Sequence, residues 1–230
     1  GGVLEWVQTL TDADGESCNN GMDLSGGVFT IRDDAPTAEL DGEFDVPAFE
    51  LNESDALNDN GVRTQTESLA LAFGNDPDFG SDGEGSEDYA LALLGESVPT
   101  GLFALDPSND SEENPGQGAA IVLVDNDGTI EGRAGEEGEV IFTISTDGNG
   151  NVTFSQFGNL WHPQASDSDN SANDPVSLSL EGGVLQLVQT LTDADGDSDS
   201  TALDLSGGVF TIRDDAPTAE LDGEFDVPAF

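Results

Sequence analysis

A segment of 49 residues occurs twice in this chain, and the two copies are 181 residues apart. Residues 1–49 and 182–230 align without a gap and agree at 41 of 49 positions, differing at positions 5, 6, 16 and 18–22 of the first copy. Solenoid repeats have periods of roughly 20–50 residues, whereas a period of 181 residues has the size of a domain. The sequence therefore looks like an excerpt from a tandem array that holds one full period and an overlap.

The boundary between modules is predicted at the sequence RDDAPTA, which occurs in both copies. Apolar alternation stops there, and Pro36 or Pro217 stiffens the connection. We expect residues 1–34 to be the C-terminal part of a preceding repeat and residues 35–215 to be one complete module. Residues 216–230 would then begin the next repeat.

The charge of the chain restricts its partners. It has 49 acidic residues, four arginines, no lysine and a formal net charge of −45. Phosphate binding needs basic side chains, so nucleic acid is excluded as a partner. Self-repulsion of this size opposes compaction, so a core is expected only if bound divalent cations neutralise the carboxylates or high salt screens them. Both solutions stay open at this point.

Cysteine content and hydropathy add two further expectations. Cys18 is the single cysteine, so the chain cannot form an internal disulfide. No apolar run approaches the roughly 18 residues of a membrane span, and we expect no direct membrane insertion.

Apolar residues recur with a period of two, which predicts strands rather than helices. The pattern is clear in SLALAF (68–73), YALALL (89–94) and VIFTIST (140–146), and DGNG (147–150) predicts a hairpin to the strand that follows. AIVLV (120–124) is apolar on both faces and predicts a central strand. Many short strands separated by Gly, Asp and Asn predict an all-β fold of the β-sandwich type. Long polar loops are expected at 74–88, 106–118 and 164–175.

The sequence DADGD (193–197) places three aspartates at alternate positions around Gly196. Side chains spaced in this way converge in a turn, and three close carboxylates repel one another unless a cation lies among them. Ca²⁺ takes oxygen ligands in flexible geometry, whereas zinc and copper favour His and Cys, of which the chain has one each. We therefore predict that Ca²⁺ is bound by both copies of the turn, through Asp193, Asp195 and Asp197 in the second and Asp12, Asp14 and Glu16 in the first.

Other acidic pairs have related spacing. DNDG contains Asp125 and Asp127, and the module boundaries contain the adjacent pairs Asp33–Asp34 and Asp214–Asp215. An acidic pair at a boundary is well placed to share a calcium ion with the neighbouring module. Asp is also common in turns because its side chain hydrogen-bonds to nearby backbone, so a turn role remains the alternative at each position.

The stretch from AAIVLVDNDG (119–128) to DDAPTA (214–219) resembles a repeat domain of giant RTX-type bacterial adhesins, the domain labelled DUF5801, and residues 35–118 resemble it loosely. The closing residues are also similar to the ends of Ig-like adhesin extender modules. The resemblance implies calcium-binding β-sandwiches, Ig-like or enlarged Ig-like, in a stalk that projects a ligand-binding tip. It also implies calcium ligation by the turn and boundary aspartates, which are Asp193, Asp195, Asp197, Asp214 and Asp215, with Asp12, Asp14, Asp33 and Asp34 in the first copy. Because the glycine-rich nonapeptides of RTX proteins are missing, we expect no β-roll.

These patterns lead us to expect a structural spacer in a long extracellular adhesin or surface fibre, secreted or at the cell surface, that contributes to cell adhesion and biofilm. Its expected partners are neighbouring copies of the repeat, with glycans or other cell surfaces reached through a tip domain outside this segment. Three alternatives stay open. They are a self-assembling filament subunit, a carbohydrate- or cell-binding module acting through loops 74–88 and 106–118, and an acidic surface adapted to salt without specific ions.

No catalytic group of residues can be assembled from the sequence. His162 beside Trp161 is more typical of packing than of sugar binding, and pairs of acids arise by chance among 49 acidic residues. We therefore expect that the protein is not an enzyme.

Overall fold

The computed structural model describes residues 4–163 and 174–214. Asp215, residues 216–230 and most of the predicted loop 164–175 lie outside the described residues. Two compact units are present, Gly1–Asp34 and a second unit that begins at Ala35. The strands are β1 (Glu5–Thr11), β2 (Ser17–Asp23), β3 (Phe49–Asn52), β4 (Arg63–Ser68), β5 (Glu84–Leu93), β6 (Val98–Leu105), β7 (Gln117–Asn126), β8 (Thr129–Ala134), β9 (Val140–Thr146), β10 (Asn151–Gln156), β11 (Leu160–Trp161), β12 (Pro175–Ser177), β13 (Leu185–Asp193), β14 (Ser198–Asp204) and β15 (Phe210–Arg213).

The first unit is a single antiparallel hairpin of β1 and β2, paired from Glu5↔Asp23 to Thr11↔Ser17. Its sequence copy in the second unit, β13 and β14, pairs in the same register. Trp6 and Leu10 of the first hairpin are exposed, whereas their counterparts in β13, Leu187 and Leu191, are buried. Hairpin formation is therefore a local property of this sequence, and burial depends on the strands that pack beside it.

The described strands of the second unit form three sheets. The largest has seven strands in the order β11-β6-β7-β8-β9-β10-β4, and the two smaller sheets have the orders β12-β15-β3 and β14-β13-β5. Their buried apolar residues form one continuous core. The rings of Phe142 and Phe154 lie on the large sheet, and those of Phe49 and Phe210 lie on the sheet of β3, β12 and β15. Phe154 contacts Phe210 with ring centroids 5.2 Å apart, so the two sheets pack face to face through aromatic residues.

Strands β3 and β15 are the one parallel pair among the described strands, with Phe210 opposite Phe49 and Arg213 opposite Asn52. The backbone ladder extends by one bond, since the amide of Glu53 donates to the carbonyl of Arg213 at 2.9 Å. Arg213 also forms two hydrogen-bonded contacts with the Glu50 carboxylate, at 2.7 and 2.8 Å. A strand near the start of this unit is thus fixed to the strand that ends at residue 213.

Several strand predictions are confirmed. In β5, Tyr89 and Leu91 are buried on one face, and in β9 the same is true of Phe142 and Ile144. The predicted hairpin at 147–150 joins β9 to β10. The strand predicted at 120–124 lies inside the large sheet as part of β7.

Two predictions about local structure are wrong. The stretch 68–73 is not a strand, because β4 ends at Ser68 and a 3₁₀ helix follows over Ala70–Phe73. The amide of Leu69 donates a hydrogen bond to the carbonyl of Gly150. The amide of Ala72 donates to the carbonyl of Leu69, which closes the first turn of the helix. The predicted polar loop 74–88 is shorter than expected, since β5 begins at Glu84 and pairs with β13.

The described part of the chain contains no helix that is both long enough and apolar enough to cross a lipid bilayer.

Candidate metal centre

The turn between β13 and β14 fixes the Asp193 side chain in place. The amide of Asp193 donates to the carbonyl of Asp197 at 3.0 Å. Asp193 Oδ1 accepts from the amides of Gly196 at 2.9 Å and Asp197 at 2.8 Å. Gly196 has φ of +108°, a conformation that L side chains rarely adopt, which explains why glycine stands there. The turn therefore uses one carboxylate oxygen for its own structure and leaves Oδ2 for another partner.

Asp193 Oδ2 is buried, and it has no hydrogen-bond partner within the described part of the structure. The whole residue is 3% exposed. The amide of Ala194 donates to the carbonyl of Gly83 at 3.0 Å, so the segment before β5 lies against the turn. This contact places Asp82 beside Asp193 and Asp195, with one carboxylate oxygen of each within 4.8 Å of the others.

The spacing of these three oxygens is compatible with a calcium ion. Ca²⁺–oxygen distances are about 2.3–2.6 Å, so two oxygens of one shell lie at most about 5 Å apart. A carboxylate oxygen that is buried without a donor is unfavourable unless a cation or proton compensates its charge. Asp82, Asp193 and Asp195 could therefore hold a divalent cation, with Asp197 contributing its backbone to the turn that positions them.

Opposing effects act on the pKa of Asp193. Burial alone would raise the pKa, but hydrogen bonding with the Asp195 side chain and with the amides of Gly196 and Asp197 outweighs burial and lowers it. The carboxyl is therefore ionised at neutral pH, and two adjacent carboxylates need a shared proton or a cation between them.

The first copy of the turn has the same backbone geometry in a different environment. The amide of Asp12 donates to the carbonyl of Glu16 at 2.9 Å, and Asp12 Oδ1 accepts from the amide of Glu16 at 2.9 Å. Oxygens of Asp12, Asp14 and Glu16 also lie within 4.8 Å of one another, but all three residues are exposed. Among residues 4–34 of the first unit, no segment corresponds to the one that carries Asp82 in the second.

Asp125 and Asp127 occupy the turn between β7 and β8. Asp125 Oδ1 accepts from the amide of Gly128 at 2.9 Å, and Asp127 has φ of +51°. Both residues are exposed, and neither joins a group of three possible metal ligands among the described residues. Asp125 thus stabilises the turn through its side chain, and the prediction that it binds calcium stays a prediction.

The predicted boundary pairs differ in their surroundings. Asp33 and Asp34 are exposed, and Asp215 lies outside the described residues. The Asp214 carboxylate lies within 4.8 Å of Glu53 and His162. Sequence reasoning missed Asp82, Glu53 and His162 as neighbours of predicted ligands. Asp82 could have been suspected as a ligand, because it lies in the acidic stretch 74–88. No sequence pattern pointed to Glu53 or His162.

The strands define an all-β protein whose sheets pack in a sandwich-like arrangement. The family model described as "Domain of unknown function (DUF5801)" matches residues 48–206, which is more than half of the chain, and the chain belongs to this family. The match begins just before β3 and ends just after β14, and it confirms the resemblance of the sequence to DUF5801. Comparisons with curated proteins and with solved structures gave no match.

Proposed function

We propose that this protein is a calcium-stabilised structural module of a long extracellular repeat protein, where it acts as a spacer in an adhesin stalk or surface fibre. The observation that carries the proposal is the buried Asp193 carboxylate, whose Oδ2 lacks a donor among the described residues and which lies beside the carboxylates of Asp82 and Asp195. A Ca²⁺ ion at this position supplies the missing charge and links the β13–β14 turn to the segment that leads into β5.

The duplicated sequence supports the repeat part of the proposal. The tail sequence of the module occurs at both ends of the chain with 41 of 49 positions identical, as expected if successive modules must join in the same way. The partners are then neighbouring copies of the repeat, and the protein is secreted or located at the cell surface. The resemblance to adhesin extender modules extends this to an Ig-like or enlarged Ig-like sandwich and to a ligand-binding tip elsewhere in the array.

The net charge supports a role for cations. A chain with 49 acidic and four basic residues repels itself, and specific ions at buried carboxylates relieve that repulsion locally. At a hundredfold excess of free ion over its dissociation constant, one such site stabilises the folded state by about 2.7 kcal/mol. For a domain of this size, that free energy raises the melting temperature by roughly 5–10 °C.

The test combines Ca²⁺ titration by calorimetry with thermal melting before and after chelation. We expect Ca²⁺ to raise the melting temperature of the full chain and Asp193→Asn to abolish most of that increase. Asp12→Asn is the matched control, because it changes the same turn in an exposed setting, and it should leave most of the calcium effect intact.

The competing explanation is salt adaptation without specific ions. If monovalent salt at equal ionic strength raised the melting temperature as much as Ca²⁺ does, and Asp193→Asn made no difference, the calcium proposal would be wrong. Solution scattering with and without chelator would then also show unchanged dimensions.

A further inference from the structure

A second group of possible ligands lies at the ends of three strands in the second unit. Glu53 directly follows β3, Asp214 directly follows β15 and His162 directly follows β11. Because β3 and β15 are parallel neighbours, their carboxyl ends meet at the same edge of the sheet. One ligand atom from each of the three residues lies within 4.8 Å of the other two.

The imidazole of His162 is oriented by a backbone carbonyl. Its Nδ1 lies 3.1 Å from the Asp174 carbonyl oxygen, and a carbonyl can only accept, so Nδ1 carries the proton. In the neutral ring, Nε2 then has a free lone pair. The Asp174 carbonyl also accepts from the amide of Asp214 at 3.3 Å. One backbone group thus orients two of the three residues, in the way that outer hydrogen bonds orient metal-binding histidines.

The Glu53 carboxylate is also fixed through one oxygen. Its Oε1 accepts hydrogen bonds from Gln156 Nε2 and from the amide of Leu160, the latter at 2.9 Å. Its Oε2 lies 3.7 Å from His162 Nε2, which is too long for a hydrogen bond. The geometry therefore holds two potential ligand atoms close together without allowing them to satisfy each other.

Two of the three side chains are removed from solvent, and Asp214 is half-buried. The side chains of Glu53 and His162 are each 3% exposed. His162 Nε2 and the neighbouring Gln156 Oε1 have no hydrogen-bond partner among residues 4–163 and 174–214. Burial raises the pKa of Glu53, against the opposing effects of the Leu160 amide and of His162. A buried pair with an unpartnered nitrogen and a desolvated carboxylate is energetically unfavourable unless a cation or proton compensates it.

We propose that Glu53, His162 and Asp214 form a site for a single divalent transition-metal ion of the zinc class, distinct from the calcium turn at Asp193.

The ligand chemistry decides between metals. An imidazole nitrogen suits zinc and its neighbours, whereas Ca²⁺ prefers oxygen ligands alone. In a tetrahedral site with bonds of 2.0–2.1 Å, adjacent ligand atoms lie about 3.4 Å apart, and the Glu53 Oε2 to His162 Nε2 distance is 3.7 Å. A single histidine suffices because carboxylate oxygens complete zinc shells. Asp214, which the sequence predicts as a calcium ligand at the module boundary, would instead bind this transition metal.

The test uses Zn²⁺ and Co²⁺ as probes on the full chain in the presence of excess Ca²⁺. The chain has one histidine, so its imidazole signals in a long-range ¹H–¹⁵N spectrum report on this site alone. We expect Zn²⁺ to shift the Nε2 signal with a stoichiometry of one, and Co²⁺ to give visible absorption bands that Zn²⁺ removes. Unchanged histidine signals, or displacement of Co²⁺ by Ca²⁺, would overturn the proposal.

Variants separate this site from the calcium turn. His162→Gln and Glu53→Gln should each weaken Zn²⁺ binding at least about tenfold. Glu50→Gln, on the same strand but exposed, and Asp193→Asn, at the calcium turn, should leave Zn²⁺ binding unchanged. Equal weakening by Glu50→Gln would contradict the assignment. If His162→Gln fails to fold, the Zn²⁺ titration of the unaltered chain, followed by its histidine signals, still tests the proposal. That result does not depend on the calcium proposal.

Discussion

The rings of Phe154 and Phe210 meet edge to face with centroids 5.2 Å apart, and this contact joins the seven-stranded sheet to the sheet of β3, β12 and β15. Both side chains are completely buried. Phe210 also stacks on Phe49, its neighbour across the parallel pair, at 4.9 Å. Aromatic contacts of this kind add to the hydrophobic contribution of the buried area. The sequence copy of Phe210 is Phe29, which is 69% exposed. A substitution at Phe29 is therefore a control for the same substitution at Phe210.

We predict that Phe210→Ala destabilises the second unit by about 3–5 kcal/mol, because it removes a fully buried ring and leaves a cavity between two sheets. Phe29→Ala should change the free energy of unfolding by less than about 0.5 kcal/mol, since the residue is on the surface. Urea denaturation followed by circular dichroism measures both. Equal effects of the two substitutions would show that Phe210 does not hold the sheets together.

The same pair of segments should differ in amide exchange. Residues 210–213 form β15 between β12 and β3, whereas residues 29–32 belong to no strand. We expect amides of 210–213 to exchange at least about a hundredfold more slowly, which corresponds to about 2.7 kcal/mol of local opening free energy. Peptides 19–31 and 200–212 differ in sequence and can be separated by mass spectrometry. Similar exchange in both would mean that local sequence, rather than the neighbouring strands, protects β15.

Tyr89 is the single tyrosine of the chain, so its ionisation can be followed by ultraviolet absorbance. Burial, together with a hydrogen bond to Glu87, raises the pKa of Tyr89 from 10.0 to about 12. Its hydroxyl donates to Glu87 Oε1 at 2.6 Å and accepts from Gln189 Nε2 at 3.1 Å. We predict a phenolate midpoint near 12 in the folded protein.

The sign of the effect on stability follows from that shift. The unfolded chain loses the tyrosine proton near pH 10, whereas the folded chain keeps it until about pH 12. The stabilisation is therefore complete below pH 10 and is lost as the pH rises from 10 to 12. Glu87→Gln should lower the folded midpoint, because it removes a negative charge beside the hydroxyl. A midpoint of 10 in the folded protein would contradict the prediction.

Gly132 in β8 lies opposite Phe142 in β9. A Cβ atom at Gly132 would approach the Phe142 ring to 2.3 Å, and the ring is fully buried. We predict that Gly132→Ala destabilises the second unit by about 1–3 kcal/mol. Gly42→Ala is the control, since no atom lies within 4 Å of a Cβ there and its φ is not positive. Thermal melting that ranked Gly42→Ala as the more damaging change would disprove the steric argument.

Period-two patterning and turn chemistry were sufficient to predict the β9–β10 hairpin, whereas β8 and β14 were not predicted as strands. The Asp-Gly and Asn-Gly pairs before β10, and the DADGD turn after β13, lead directly to antiparallel pairs. The 3₁₀ helix at Ala70–Phe73 was missed because the same alternation of Leu and Ala fits a strand. Its conformation depends on the carbonyl of Gly150, which is remote in the sequence.

In the candidate sites too, contacts within one turn could be predicted from the sequence, whereas contacts between distant segments could not. The convergence of Asp193 and Asp195 follows from a five-residue motif, so it could be predicted. Asp82 joins them only because β5 pairs with β13. Glu53 and Asp214 meet because β3 and β15 are parallel neighbours, and no pattern in either segment specifies that pairing.

The parallel alignment of β3 with β15 also determines how the second unit would respond to tension. A pull towards the amino terminus on β3 and towards the carboxyl terminus on β15 acts in opposite directions along two neighbouring strands. The ladder between them, including the Glu53–Arg213 backbone bond and the Arg213–Glu50 pair, is then loaded in shear, so its bonds must break together rather than one after another. A module joined end to end in a fibre would for this reason resist stretching far better than its small number of interstrand bonds suggests.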